Sequence, residues 1–198
     1  MTDTVVDRLR GWTPDLDTAR TRLLEAALRE GVVDAMYRTV DSPLGALLVG
    51  ATPAGLVRLA FATEDHDEVL EDLARRLGTR ILLAHGRLDP AARELDAYFG
   101  GGLREFTVPV DLRLATGFRR EVLDELRAVP YGATCSYTAL AAAAGRPRAV
   151  RAAGSACATN PVPIVVPCHR VLRSDGSLGG YAGGLDVKRR LLDLEAAA

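Results

Sequence analysis

Three short apolar runs, separated by turn sequences, place the strongest constraint on how the first half of the chain can fold. The runs cover 36–40, 46–51 and 55–61, and the connections at 41–45 and 52–54 are rich in Pro, Gly, Ser, Thr and Asp. Strands joined by connections this short pair with antiparallel neighbours. The sequence therefore predicts a small antiparallel sheet.

Apolar residues at helical spacing surround these three runs. The other predicted elements of the first half are a leading helix over 15–30, a helix over 69–77, a helix over 88–99 and a last short strand over 106–110. The glycine triplet at 100–102 marks the end of the third helix. We therefore interpret the first half as helices packed on a small sheet.

The pattern changes at Gly117, after which short helices follow one another. The predicted helices are one with its apolar stripe at 118–126, one capped by Ser136 and extending through Ala144, one with Pro147 in its first turn and extending to Thr159, and a closing helix over 186–195. Two short helices joined by a tight turn that contains Gly are typical of a helix-turn-helix.

Composition excludes several classes of protein. No apolar stretch approaches the roughly 18 residues that a membrane span needs, and the early acidic residues are unlike a secretion signal. The three cysteines form neither an even framework nor a CxxC pair. Both facts argue against a disulfide-stapled secreted domain and a structural zinc site. We therefore predict a cytoplasmic protein without a membrane segment or a metal.

Charge is unevenly distributed along the chain. Residues 117–198 contain eleven Lys and Arg against seven Asp and Glu, and the preceding part contains fourteen against nineteen. A polyanionic partner would therefore dock on the second half, although a solvated surface gives the same split.

The predicted helix over 149–158 consists of small residues and one long cation, Arg151. Reading base edges in the major groove requires long polar side chains, whereas small residues allow close approach to a minor groove. The same composition is also typical of a helix packed tightly inside a core. The residues alone leave both interpretations open.

Cys168 is the candidate reactive group of the chain. A lone cysteine is ordinarily an inert buried packing residue. Here His169 follows directly, and Glu195 lies at the end of the closing helix, from which it can fold back. Such a Cys–His–acid relay lowers the pKa of the thiol and produces the thiolate nucleophile. We therefore predict a reactive thiolate at Cys168, with a bridging water where the imidazole does not reach the sulfur.

The segment Asn160–Val171, which reads NPVPIVVPCHRV, carries a family resemblance. It closely resembles the active-site signature of the O6-alkylguanine-DNA alkyltransferases, the methylated-DNA–protein-cysteine methyltransferases. The resemblance covers nearly all of 117–195, and the first half is similar mainly in the order of its elements. It implies an α/β (α+β) fold in which a winged-helix-like, helix-turn-helix C-terminal domain carries the active-site cysteine.

The implied domain organisation has three parts. A helical extension occupies 1–34, and an RNase H-like domain built on the small antiparallel sheet occupies 35–112. The DNA-binding and alkyltransferase domain occupies 113–198.

The resemblance also implies roles for the active-site residues. Cys168 would take the alkyl group from O6 of guanine in one in-line displacement, and it would act once. His169 would accept the thiol proton through water, and Glu195 would orient His169. Asn160 would tie the helix-turn-helix to the active-site strand, and Tyr137 would help to turn the nucleotide out and donate a hydrogen bond to the leaving guanine.

DNA-contacting and pocket residues follow from the same resemblance. Arg151 would fill the space that the flipped base leaves in the stack. The other implied DNA contacts are Ala149, Ala152, Gly154 and Tyr137. The implied pocket comprises Val171, Tyr181, Ala182, Pro163 and Cys157, with the carbonyls of Cys168 and Val171 and the N–H of Ala182 holding the guanine edges. We interpret Cys157 as a packing residue rather than a second acceptor.

The implied partner is double-stranded DNA that contains O6-alkylguanine, bound by a monomer without a cofactor, and activity on O4-alkylthymine stays open. Two alternatives remain. A cysteine hydrolase would use the same three residues, Cys168, His169 and Glu195, with repeated turnover. A lesion-binding or regulatory DNA-binding protein would do no chemistry, and the presence of Cys168 argues against it.

Overall fold

The computed structural model describes residues 16–197, and a four-stranded sheet forms the centre of the first half. In sheet order the strands are β3 (Gly55–Ala60), β2 (Leu47–Thr52), β1 (Ala35–Val40) and β4 (Ile81–Leu83). Strands β1, β2 and β3 are antiparallel, which confirms the prediction, whereas β4 runs parallel to β1. The sequence does not predict β4, because three residues are too few to show an alternating pattern.

The predicted strand over 106–110 was wrong. This segment lies beside β3 and forms a single isolated bridge, to Leu56. Two of its backbone N–H groups donate to the carboxylate of Glu94, and Pro109 has no N–H to donate. No ladder can form because the side chain of Glu94 takes the donors that a strand would use.

Three helices accompany the sheet. They are α1 (Leu16–Arg29), α2 (His66–Leu77) and α3 (His85–Phe99). Helix α3 begins three residues earlier than predicted and ends at the predicted glycine stop. Its penultimate residue, Tyr98, is fully buried between the two halves of the molecule, where its hydroxyl reaches Glu195.

The second half begins with three short helices that pack on one another. They are α4 (Gly117–Leu126), α5 (Tyr137–Ala143) and α6 (Val150–Ala158). The hydroxyl of Ser136 accepts the N–H of Ala139 at 3.1 Å, as expected of the predicted cap. Helix α6 begins at Val150, so that Pro147 lies in the preceding turn rather than in the first helical turn.

The segment before Cys168 is a loop rather than the active-site strand that the resemblance implies. Ile164 has a φ of 73°, which is rare for a β-branched residue, and the N–H of Val166 bonds back to the carbonyl of Val162 at 2.9 Å. A 3₁₀ helix, Cys168–Arg170, follows. The apolar residues of this loop are buried except Val165, which is half-buried, and this packing holds the tight bend that the apolar pattern alone does not reveal.

The end of the chain closes over this loop. Strand β6 (Val171–Leu172) pairs in parallel with β5 (Cys135–Ser136), and helix α7 (Leu185–Ala196) packs against the 3₁₀ helix. The predicted closing helix is confirmed. Over residues 16–197, no helix is long and apolar enough to cross a membrane, and no group of three or more His, Cys, Asp or Glu could hold a metal ion.

Candidate active site

Cys168 begins the 3₁₀ helix and is almost completely buried, with 3% of its surface exposed. The side-chain amide of Asn160 donates to its sulfur at 3.2 Å and to the carbonyl of Val166 at 2.7 Å. The amide oxygen of Asn160 accepts the N–H of Val162 at 3.1 Å. Asn160 therefore joins the end of α6 to the loop and holds the sulfur in place.

The thiol of Cys168 is protonated in the resting protein. Burial raises its pKa to about 11, and the hydrogen bond from Asn160 and the charge of Lys188 offset this only in part. The sequence-based prediction that the pKa of Cys168 is lowered, so that the free protein carries a thiolate, is therefore wrong. A base must remove the proton when the sulfur reacts.

His169 and Glu195 form a fully buried pair. Nε2 of His169 lies 2.7 Å from Oε1 of Glu195. Burial lowers the pKa of His169, and the imidazole is therefore neutral near pH 7. Burial opposes ionisation of Glu195, but hydrogen bonds from His169, Arg170 and Tyr98 outweigh it and lower its pKa to about 2. The carboxylate fixes the tautomer with the proton on Nε2, which leaves Nδ1 as a proton acceptor.

The imidazole and the sulfur are neighbours in the chain but do not touch. The described part of the chain contains no hydrogen bond between Cys168 and His169, and Nδ1 of His169 is buried without a partner there. The structure thus brings together the histidine and the acid of the predicted relay. It leaves the path from sulfur to imidazole indirect.

Three further groups hold Glu195, and sequence reasoning missed all of them. Arg170 donates to both carboxylate oxygens through Nε and Nη2, at 2.9 to 3.2 Å. The N–H of Gly132 donates to Oε2 at 3.1 Å, and the hydroxyl of Tyr98 donates to Oε1 at 2.7 Å. The position of Arg170 directly after Cys168 and His169 is a usable signal. Nothing in the sequence points to Tyr98, which lies 71 residues before His169.

Lys188 is a further residue whose role sequence reasoning missed. Its side chain is fully buried, and its ammonium donates to the carbonyl of Val171 at 2.6 Å and lies 5.9 Å from the centre of the Tyr137 ring. Burial lowers the pKa of Lys188. The signal is its spacing, because Lys188, Leu191 and Glu195 occupy one face of a helix whose apolar face turns inward.

Two tyrosines lie beside the sulfur. Tyr137 is half-buried, and a Cβ at Gly179 would lie 2.8 Å from Cε2 of its ring, so the ring fits only against a glycine. Burial raises the pKa of Tyr137 to about 12. The ring of Tyr181 packs edge-on against His169, with 6.5 Å between centroids. Its hydroxyl is buried without a partner in the described part of the chain.

Helix α6 has two different faces, and the packing interpretation of its small residues is confirmed for one of them. Ala153, Ala156 and Cys157 are buried against the core, whereas Arg151 and Ala152 are exposed. Small residues thus serve packing on one face and leave an open surface with one cation on the other.

The remaining predicted residues lie close to these groups. Gly154 is half-buried against Tyr137, with 3.9 Å between a Cβ placed there and the ring. Ala149 is half-buried, Pro163 is buried and Ala182 is exposed. Burial raises the pKa of Cys157 far above its ordinary value, which is consistent with a packing role.

Two family profiles match the two halves of the chain. Residues 35–112 match the ribonuclease-like domain of 6-O-methylguanine DNA methyltransferase, and residues 117–197 match its DNA-binding domain. The matches together span most of the described chain, and the buried hydrogen bond between Tyr98 and Glu195 joins one matched region to the other.

Curated relatives and solved structures agree with these matches. The chain is 42% identical over 159 residues to the methylated-DNA–protein-cysteine methyltransferase of Mycobacterium tuberculosis, covering 80% of this chain and 91% of the relative. The Methanosarcina barkeri protein of the same name is 41% identical over 162 residues, covering 80% and 96%. The structure is similar to that of Mycobacterium tuberculosis OGT in complex with DNA, with a TM-score of 0.72 and 40% identity over 82% of this chain and 93% of the other. The chain therefore belongs to the methylated-DNA–protein-cysteine methyltransferase family.

Proposed function

We propose that this protein repairs O6-alkylguanine in double-stranded DNA by moving the alkyl group to its own Cys168. The observation that carries the proposal is the buried sulfur of Cys168, held by Asn160 near the buried pair of neutral His169 and ionised Glu195. A bond forms between the sulfur and the alkyl carbon as the bond from that carbon to guanine O6 breaks. The product is a thioether with no easy route back to a thiol, so each molecule acts once.

Proton movement follows from the pKa values of the site. The thiol of Cys168, with a pKa of about 11, must lose its proton as the sulfur attacks. Neutral His169 accepts that proton at Nδ1 through a water, and Glu195 stabilises the imidazolium that results. The displacement occurs at a saturated carbon and builds no tetrahedral oxyanion. Alignment and proton removal are therefore the chemical requirements of the step.

DNA binding is assigned to the exposed face of α6. The small residues Ala152 and Gly154 of the helix, with Ala149 directly before it, allow approach to a minor groove, and the exposed Arg151 fills the gap that the flipped base leaves. Flipping is required because a stacked base cannot reach a buried sulfur, and it costs about a few kcal/mol. Tyr137, at the start of α5, assists flipping and donates a hydrogen bond to the leaving guanine.

The flipped guanine is held by backbone groups near Cys168. The carbonyls of Cys168 and Val171 each already accept one hydrogen bond, from the N–H of Val171 and the ammonium of Lys188. A carbonyl oxygen can accept two hydrogen bonds, and these two carbonyls are the acceptors that we assign to the guanine edge. The N–H of Ala182 supplies a donor, and Tyr181 lines the pocket together with Pro163.

The proposal also covers the domain bounds, the cellular location and the oligomeric state of the protein. We assign an N-terminal extension to 1–34, the ribonuclease-like domain to 35–112 and the DNA-binding alkyltransferase domain to 113–198. The protein acts as a cytoplasmic monomer that needs no cofactor. Activity on O4-alkylthymine is tested separately, with the label placed on O4 of thymine in the same kind of DNA duplex.

The decisive experiment follows a labelled methyl group on O6 of guanine in a DNA duplex. Label is expected to move to the protein at no more than one group per chain, and mass spectrometry is expected to locate it on Cys168. Cys168→Ala should abolish transfer and leave lesion binding within about two-fold, because only the sulfur is lost. Cys135→Ala is the matched control and should transfer normally. Repeated turnover would favour a hydrolase, and label on Cys168→Ala would place the acceptor at another residue; either result would reject the proposal.

A further inference from the structure

Tyr98 is a residue of the first half that reaches the chemical centre of the second. It lies at the end of α3, and its side chain is fully buried. Its hydroxyl donates to Oε1 of Glu195 at 2.7 Å and lies 3.4 Å from Nε2 of His169. One phenol oxygen therefore contacts both members of the buried pair.

The ring and the hydroxyl of Tyr98 have separable environments. The ring lies in an aromatic cluster, with centroids 5.4 Å from Phe99, 5.3 Å from Phe106 and 6.0 Å from Tyr131. Packing of the ring alone would be satisfied by phenylalanine. A buried hydroxyl costs free energy unless it is hydrogen-bonded, and its partner here is the carboxylate of Glu195.

The donors around Glu195 differ in origin. Arg170 and the N–H of Gly132 belong to the second half and hold the carboxylate from within the same region. Among the described residues, Tyr98 is the donor from the first half. It shares Oε1 with His169, whereas the N–H of Gly132 bonds Oε2.

We propose that Tyr98 is a positioning residue of the alkyl-transfer centre, through which the ribonuclease-like half fixes Glu195 so that Glu195 orients His169. The inference rests on the proposed function. It assigns the first half a part in the chemistry, because the acid of the relay is held jointly by both halves. Tyr98 touches neither sulfur nor DNA base, and it acts through Glu195.

The test is Tyr98→Phe, which keeps the ring and removes the hydroxyl. The single-turnover rate of methyl transfer at pH 7 is expected to fall about ten-fold, the scale of one hydrogen bond to a charged group. Lesion binding should stay within about two-fold. Tyr131→Phe is the matched control, since it removes a phenol hydroxyl from the same cluster that bonds the carbonyl of Leu194 at 3.4 Å and not the carboxylate. It should transfer at the normal rate.

A second measurement is independent of transfer. The chain has three histidines, so the imidazole nitrogens of His169 can be followed by NMR titration. The groups that face His169 are Glu195 and Lys188 from α7, Arg170 from the 3₁₀ helix, Tyr98 from α3 and Tyr181 from the loop before α7. Loss of the Tyr98 hydroxyl leaves the charge of Glu195 less neutralised. The pKa of His169 should therefore rise, and the acid limb of the transfer rate should move to higher pH with it.

The outcomes separate the two proposals. If the unaltered protein accepts no label, the proposed function fails, and the NMR titration still decides the role of Tyr98. If Tyr98→Phe titrates and transfers like the unaltered protein, or if Tyr131→Phe has the same defect, the positioning role is rejected. In a Glu195→Gln background, Tyr98→Phe should change the rate by less than about two-fold, because the two residues act as a unit. Additive losses would also reject the role.

Discussion

The active site has a thiol side, formed by Cys168, Asn160 and Tyr137, and an acid side, formed by Glu195 and the groups that donate to it. The nucleophile of the first is neutral, whereas the carboxylate of the second is charged. On the thiol side, Cys168 is buried with one amide donor, and burial raises its pKa to about 11. On the acid side, Glu195 is equally buried, but donors from His169, Arg170 and Tyr98 lower its pKa to about 2. Loss of solvent therefore raises the pKa of both groups, and the donors around Glu195 outweigh that rise whereas the donor to Cys168 offsets it only in part.

This difference suits a protein that must keep its nucleophile until it meets a lesion. A permanent thiolate would be exposed to oxidation and to adventitious electrophiles, whereas a buried thiol is inert. On the acid side, Glu195 is already ionised and hydrogen-bonded, so its surroundings need not reorganise when the imidazolium of His169 forms. The proton then moves from the thiol side to the acid side only when an alkyl carbon is in place.

The largest expected effect comes from breaking the acid side with Glu195→Gln. The amide cannot accept all the donors of the carboxylate, so the tautomer and orientation of His169 are lost. The single-turnover rate at pH 7 should fall about 100- to 1000-fold, the usual contribution of a general base. The defect should shrink as the pH approaches 11, since the thiol then ionises without help. A stopped-flow or quench-flow pH series measures both.

Glu195→Gln also has a structural cost that must be measured separately. It leaves Arg170 buried beside a neutral amide, and breaking such a pair destabilises by about 3–5 kcal/mol. Rates should therefore be compared at a temperature well below the unfolding midpoint of the variant. A rate defect of equal size at every pH would show that the carboxylate serves folding rather than proton transfer.

A smaller effect is expected from breaking the thiol side with Asn160→Ala. The sulfur loses its amide donor, the N–H of Val162 loses its partner, and the carbonyl of Val166 keeps only the N–H of Cys168. The pKa of Cys168 should rise above 11, and transfer should slow about ten-fold. The pH dependence of iodoacetamide alkylation at Cys168 reports that pKa directly. A lower pKa in the variant would contradict the account of the thiol side.

The fold was predictable where local pattern decides structure. The three antiparallel strands are short apolar runs bounded by turn residues, and the closing helix has apolar residues at helical spacing. The strand predicted over 106–110 failed because a distant carboxylate, that of Glu94, takes its backbone donors. The bend at Ile164 escaped prediction because the surrounding core holds a backbone conformation that its residue type disfavours.

The site residues also divide into those that a local sequence pattern identifies and those that only the folded structure brings together. Cys168, His169 and Asn160 lie within ten residues of one another, so a local signature identifies them. Tyr98 joins the same cluster from the other half of the chain, and its contact exists only once both halves have folded. The ionisation of Cys168 is also a tertiary property, because it depends on burial rather than on the neighbouring histidine.

The smallest of these effects tests whether the thiol side depends on the shape of the pocket as well as on its donors. Gly179→Ala would place a methyl group 2.8 Å from Cε2 of Tyr137 and even closer to its hydroxyl, so the ring must move. Transfer should slow several-fold, up to about ten-fold, because the donor to the leaving guanine is displaced by a fraction of an ångström. Gly180→Ala is the matched control, since a methyl group there meets nothing within 4 Å.

Two measurements on Gly179→Ala distinguish an effect on the thiol side from an effect on the acid side: the transfer rate and the NMR titration of His169. Tyr137 lies on the thiol side and makes no contact with Glu195 in the described structure, so Gly179→Ala should leave the NMR titration of His169 unchanged. The rate should fall while the acid limb of its pH profile stays in place. If the His169 titration shifts in Gly179→Ala but not in Gly180→Ala, the two sides are mechanically coupled. The separation between a donor-rich acid side and a donor-poor thiol side would then no longer describe the site.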